Sequence, residues 1–230
     1  MEPEGLSQVR HLTKREMAYH ELRRAFFTGK FAPASSATIS QLASQLNLGL
    51  MPVREAIQQL AYQGAFEFLP NRSIRVPVHD LDELDSLFKA RLLLECFATA
   101  EAAKNITKPI ITELRQHLKT IAELIQSDDF GQVQLFNYNF HFEIYRQCNN
   151  HYILDAIERL WLRAGPMHIA IWREHEGARR EVERTLPLHK DLINALANND
   201  SLESKKIMRK MLVYSREWFL SHYSIFENIE

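Results

Sequence analysis

Three arginines and two cysteines are the residues whose types and spacing invite a chemical reading. Arg54 stands near the front of "GLMPVREAIQQL" (residues 49–60), a stretch that reads as a short helix entered through Pro52 and left through Gly64. A guanidinium there can reach a base edge or a phosphate. Arg72 lies in "PNRS" (70–73), between two alternating segments. Arg91 precedes Glu95 by one helical turn. Its fork of donors would either grip a carboxylate ligand or be tied to Glu95. Cys96 and Cys148 form no spaced motif, so neither a disulfide framework nor a Cys-based zinc site is expected, and a reducing cytoplasm suits them. HExxH, GxSxG and a phosphate-cradling glycine loop are all missing, which argues against an enzyme.

The elements that must position these groups are mostly helical. With 7 Gly and 8 Pro in 230 residues, helix is favoured over a turn-rich sheet. Ala18, Leu22, Ala25 and Phe26 give residues 14–28 one apolar face, and Ile39, Leu42, Ala43 and Leu46 do the same for 39–46. "NLG" (47–49) reads as a tight corner with the glycine in the left-handed backbone region. Val53, Ala56, Ile57, Leu60 and Ala61 form the buried stripe of the next helix. "AFEFL" and "IRVPV" alternate around "PNRS" as a small hairpin, so the front reads as a winged helix-turn-helix. Behind it, six helices are expected: one from Asp80, one opened by Thr107 and Pro109, one from Asp128 or Asp129, one from Asn150, one led in by "RTLP" (184–187), and one capped by Asp200 and Ser201 that reaches Phe226. The fold class is therefore mostly α: a winged helix-turn-helix over 1–78 and an all-α bundle over 79–230.

Charge follows the same division. The formal net charge is -1, yet residues 1–78 hold nine basic and six acidic side chains, a front of +3 and a rear of -4. A basic front and acidic rear suit two modules with different partners. No apolar run is long enough to span a membrane, and residues 1–16 lack a signal-peptide core, so an intracellular protein is expected.

The run "ISQLASQLNLGLMPVREAIQQLAYQGAFEFLPNRSIRV" (39–76) resembles the DNA-binding module of the GntR family of bacterial repressors. The resemblance implies double-stranded DNA as partner, with Arg54 near the centre of a half-site, Arg72 in or beside the minor groove, and Arg23 or Arg24 on the backbone. It also exposes a departure. Gly49, Leu50 and Met51 stand where the family usually has Ser or Thr, then Arg, then Thr, and Ser73 replaces the usual wing glycine. Leu50 and Met51 cannot fork onto guanine but can pack on thymine methyl groups. Either the operator is read by apolar contact and is rich in A·T, or DNA binding is weakened.

In the rear, "KARLLLE" (89–95), "NYNFH" (137–141), "LPLHKDLINALANND" (186–200) and "IMRKML" (207–212) are similar to the FCD ligand-sensing domain, and the helix count suits its six-helix, VanR-like subgroup. The resemblance implies an effector pocket around Arg91, Asn137, His141, His189 and Met211, with Arg163 a further candidate. Many FCD domains hold a divalent metal there on one Asp and three His. Here Asn137 replaces the Asp and Met211 the last His. Both changes weaken binding of Zn, Ni or Mn, so no cofactor is required; the alternative is a weakly bound divalent ion on Asn137, His141 and His189, what remains of a degenerate site.

Together these features imply a homodimeric transcription regulator, most often a repressor in this family, on a palindromic operator, controlled by a small-molecule effector with a carboxylate as the favoured class. The alternative is a ligand sensor or heterodimer partner that no longer reads DNA. Restoring the missing arginine separates them: Leu50→Arg is expected to raise affinity for a typical family operator, measured by fluorescence anisotropy, and no gain would sink the positional reading.

Overall fold

The structure is a computed structural model that describes residues 12–226. Residues 1–11, with most of the stretch read for a signal peptide, and 227–230 lie outside the described residues.

Helix α1 (Lys14–Phe27) starts at a capping box in which Thr13 and Glu16 satisfy each other's orphan groups. A second box, Thr38 with Gln41, starts α2 (Ile39–Leu46). Between them β1 (Ser36–Thr38) is a strand that the sequence did not announce, because three residues are too few to show alternation. The corner after α2 also differs from expectation. Asn47, not Gly49, takes the left-handed conformation (φ 52°), which asparagine tolerates best after glycine. Gly49 is the extended N-cap of α3 (Leu50–Tyr62) and offers no side-chain cap. The wing is shorter than the alternation suggested: β2 (Glu67–Phe68) and β3 (Ser73–Arg75), with β3 central in the order β1-β3-β2.

The rear comprises α4 (Leu81–Asn105), α5 (Lys108–Ile125), α6 (Phe130–Arg146), α7 (His151–Glu174), α8 (Ala178–Ala197) and α9 (Ser201–Ser221). A 3-10 turn over Tyr223–Phe226 follows, so α9 stops five residues short of the expected Phe226. Helix α8 starts well before "RTLP" and carries Pro187 inside it. The ring forfeits one helical bond and strains the turn, a cost of about 3 kcal/mol. Burial of Val182, Leu192, Ile193 and Leu196 on the same helix outweighs it, at about 1.5–3 kcal/mol each.

One apolar core runs through both halves, from Leu22 and Phe26 to Ile207 and Met208. The front docks through α1: Phe27 packs on Tyr138 of α6 (ring centroids 4.3 Å apart), and Arg173 of α7 donates to the Gly29 carbonyl at 2.7 Å. Gly131 permits this approach, since a Cβ there would stand 2.5 Å from the Thr28 carbonyl oxygen. Gly131→Ala is therefore expected to cost about 1–3 kcal/mol in urea unfolding, because backbone must move to admit the methyl; unchanged stability would show that the docking is loose.

Candidate functional site: a reading helix and a buried cavity

On α3 the exposed face carries Leu50 (46% exposed), Met51 (62%) and Arg54, with Gln58 one turn further on. Gln58 was missed in the sequence because a polar residue on an outer helix face is unremarkable, yet its amide can pair with an adenine edge. Arg72 tips the wing in the left-handed region (φ 65°) and is exposed. Ser73, in place of the family glycine, is held instead by Asn71, whose Oδ1 accepts from the Ser73 N–H at 3.1 Å and from its hydroxyl at 2.5 Å. Arg75 pairs with Glu67 across the strands at 2.6 Å. On α1, Arg24 is exposed. Arg23 is not free for a phosphate: it pairs with Glu158 of α7 at 2.6 Å, donates to the Tyr138 hydroxyl, and lies over the Tyr138 ring.

Within the bundle, a cavity of about 90 Å³, partly open to solvent, is lined by Arg91, Asn137, His141, His189 and Met211. Five of the six expected effector residues thus converge from α4, α6, α8 and α9. Arg163 does not. Trp161 faces the cavity, and two residues on around a helix of 3.6 residues per turn is the opposite face. Arg163 lies there instead, exposed and across Gly64, where a Cβ would stand 2.4 Å from its Nε. Trp161 and Trp172, two of the aromatic residues that surround this region in the sequence, also line it; His168, Tyr214, Ser215 and Trp218 do so too and were not anticipated, since no spacing links α7 to the end of α9.

Behind the cavity wall lies a buried ionic network, of which Arg91 and Trp161 reach the cavity. Glu95, fully buried, accepts from Arg91 Nε at 2.5 Å, from the Tyr145 hydroxyl at 2.5 Å and from Trp161 Nε1 at 3.1 Å. The sequence left Arg91 between a ligand and Glu95; it is tied to Glu95 and still borders the cavity. Arg91 Nη2 lies 3.4 Å from Glu95 and Nη1 takes no part in the pair. Burial and the neighbouring Glu95 hold the Tyr145 hydroxyl well above its ordinary pKa, so it stays a donor.

The histidines around this network are neutral. Burial pushes His168 down to about 3 and His189 to about 4, and burial, with His189 and the Arg91 guanidinium competing against a proton there, holds His141 well below its ordinary value. For His189 and His141 a neighbouring contact fixes the tautomer. The Thr185 carbonyl, 2.8 Å from His189 Nδ1, can only accept, so Nδ1 carries the proton and Nε2 is bare. Asn137 Oδ1 is placed 3.1 Å from that nitrogen; since a bare nitrogen can only accept, the amide must be turned to present its NH₂ there. Tyr145 gives its proton to Glu95, so its oxygen accepts from His141 Nδ1 at 3.3 Å.

This arrangement does not fit the divalent ion of the metal-binding FCD domains. Asn137 caps the very nitrogen that would bind the ion, and the neighbouring donor at 211 is a thioether. Among the described residues no three His, Cys, Asp or Glu side chains come together in a way that could hold a metal ion.

Family models match both halves: the bacterial regulatory proteins of the gntR family over residues 14–76, and the FCD domain over 86–213. The chain belongs to the GntR family, with an FCD domain. It is 28% identical to the transcriptional regulator McbR of Escherichia coli over 162 residues, covering 70% of this chain and 73% of McbR. To the transcriptional repressor GlaR of Escherichia coli it is 25% identical, covering 85% and 90%. The solved structure of Escherichia coli McbR/YncC superposes with a TM-score of 0.83 at 24% identity, covering 93% of this chain and all of that one, a likeness of fold. A regulator from Rhodococcus follows at TM-score 0.75 and 19% identity, covering 91% and 99%. These relatives are regulators, and this GntR-family chain is a transcriptional regulator, not an enzyme. Among the described residues no helix is long and apolar enough to cross a membrane.

The depressed histidines make stability pH-dependent. Unfolded, each takes a proton near 6.5; folded, His189 resists to about 4 and His168 to about 3. The unfolded state binds more protons in between, so stability is full above pH 6.5 and falls as pH drops through that window. With His141 included, urea unfolding at pH 5.5 is expected to give about 3–4 kcal/mol less than at pH 7.5. His168→Gln should shrink that loss by about a third; a variant that loses as much as the parent chain would refute the assignment.

Proposed function

We propose that this regulator is a repressor that binds a palindromic operator as a homodimer in the bacterial cytoplasm, and that a small organic acid in the cavity controls it. The front, 1–78, is the DNA reader, and the rear, 79–230, senses and dimerises. Arg54 supplies the directional base or phosphate contact, Leu50 and Met51 pack on thymine methyl groups, Arg72 reaches in or beside the minor groove, and Arg24 holds the backbone. Two relatives bear the word repressor in their names, GlaR and RspR of Escherichia coli.

The observation that carries effector control is the shared wall. Trp161 lines the cavity and meets Tyr138 edge-on with centroids 5.8 Å apart, and Tyr138 is the residue that Arg23 and Phe27 of α1 grip. A ligand that shifts Trp161 therefore moves the ground on which the reader stands. A coupling of about 1–3 kcal/mol is ordinary for such a link. Arg91 is the arginine in the cavity wall that a carboxylate can meet, and Ile121, Val133 and Leu212 offer its apolar body a place. A second reading, a sensor without DNA affinity, draws on the uncapped Gly49 and on the two apolar side chains at the tip of α3.

The test is anisotropy with DNA upstream of the protein's own gene at physiological salt, followed by selection from random DNA if that fragment fails. Arg54→Ala is expected to weaken specific binding by about tenfold or more. A panel of aromatic and branched carboxylic acids should then displace the DNA. No preferred sequence from selection would overturn the reader and leave the sensor; binding that no acid alters would overturn the effector class.

A further inference from the structure

Gln134 is 2% exposed and lines the cavity, yet among the described residues its amide makes no hydrogen bond. A buried amide without a partner costs stability, and native proteins keep few of them. Gln134, Asn137 and His141 stand three and four residues apart on α6, so they line the cavity from one side of that helix. His141 gives its proton to the Tyr145 oxygen through Nδ1, which leaves Nε2 an acceptor. Asn137, turned to serve His189, puts its oxygen where its nitrogen stands, an atom with no hydrogen-bond partner among the described residues. The α6 side of the cavity thus presents two acceptors and one amide, all neutral.

The charges in the wall are already matched. Arg91 pairs with Glu95 at 2.5 Å, and Glu181 pairs with Arg184 at 2.6 Å and accepts from the Tyr214 hydroxyl. A bare carboxylate set against Arg91 would bring an uncompensated negative charge into a largely buried cavity whose histidines are uncharged. A ligand with its own cation beside the carboxylate enters with no net charge. Arg91 and His141 are joined through Glu95 and Tyr145, so a carboxylate on the one leaves that cation within reach of the other. An ammonium fits there, since it only donates, while His141 Nε2 and the turned Asn137 oxygen only accept.

We infer that the effector is a zwitterionic amino acid. Its carboxylate meets Arg91, its ammonium donates to His141 Nε2 and the Asn137 oxygen, and its side chain runs along α6 to a neutral polar end at Gln134. The seven residues between His141 and Gln134 span about 10 Å of helix, which leaves room for a side chain of several atoms. The inference rests on the organic-acid reading above and narrows it.

Thermal unfolding of the full chain with ligands at up to about 10 mM, followed by calorimetric titration, tests it. Glutamine against methionine, asparagine against leucine, and tyrosine against phenylalanine are pairs similar in shape that differ at the polar end. At least one polar member is expected to raise Tm and to bind about tenfold more tightly than its apolar match. The 2-hydroxy and 2-H analogues of that amino acid lack the ammonium and should each bind at least about tenfold more weakly. Gln134→Leu is expected to unfold about 2–4 °C higher without ligand, because the unpartnered amide is gone, and to lose the preference for the polar member. A residue that served packing alone would lower Tm on replacement and leave the preference intact. Acids that bind as well without the amino group overturn this inference and leave the organic-acid reading standing. Amino acids that bind with no preference for a polar end, or with one that survives Gln134→Leu, overturn the part given to Gln134. Binding by neither amino acids nor the other carboxylic acids overturns both readings.

Discussion

The bundle is organised around one buried carboxylate. Glu95 on α4 is fully buried and draws a guanidinium from its own helix, a phenol from α6 and an indole from α7. Moving an ionised carboxylate out of water costs several kcal/mol, and only a full complement of donors offsets it. Each donor is therefore held where Glu95 needs it, and with it the helix that carries it. Removing one member of such a set strands a buried charge at about 3–5 kcal/mol, which is a large part of a domain's whole stability. Arg91 is further sandwiched between the Phe88 and Trp161 rings, with its Cζ 5.2 and 4.6 Å from their centroids. The cavity inherits its shape from this network, because Arg91 and Trp161 are both parts of the network and parts of the wall.

The same wall reaches the reader through aromatic contact. Tyr138 stacks on Phe142 at 4.0 Å, meets Trp161 edge-on and receives Phe27 and Arg23 from α1. Arg173 and Gly131 add backbone contacts at Gly29 and Thr28. In this conformation the front module is packed against the sensor and is continuous with its core. Displacing it means breaking packed contacts as a set, so a link between cavity and reader, as proposed above, would act through two alternative packings more than a gradual bend.

The departures from the family pattern are chemically consistent with each other. Asn137 and His189 hydrogen-bond to each other where a carboxylate and an imidazole would share an ion. The remaining histidines stay neutral and serve as polar lining without charge. At the reading helix, Leu50 and Met51 leave Arg54 as the one basic residue of α3, with the exposed Glu55 beside it, and Gln58 offers the next neutral polar contact. Both ends have exchanged charge for apolar surface and neutral hydrogen bonds.

Much of this was legible in the sequence, because periodic burial and capping act locally: the boxes at Thr13 and Thr38 and the Asp80, Asn150 and Asp200 caps start helices at the expected residues. The order of helices and the convergence of Asn137, His141, His189 and Met211 followed from the family motifs. What the tertiary structure decided was where local signals compete or are silent. Pro187 argued for a helix start, and burial along α8 overrode it; β1 exists only because β3 is there to bond it. Arg23 looked like a phosphate contact until Glu158, 135 residues away, claimed it, and Arg91 was undecided until Glu95 proved to be buried beside it. A sequence fixes which groups a side chain can bond, but long-range packing chooses among them, since the cost of burying a charge is known only once its surroundings are.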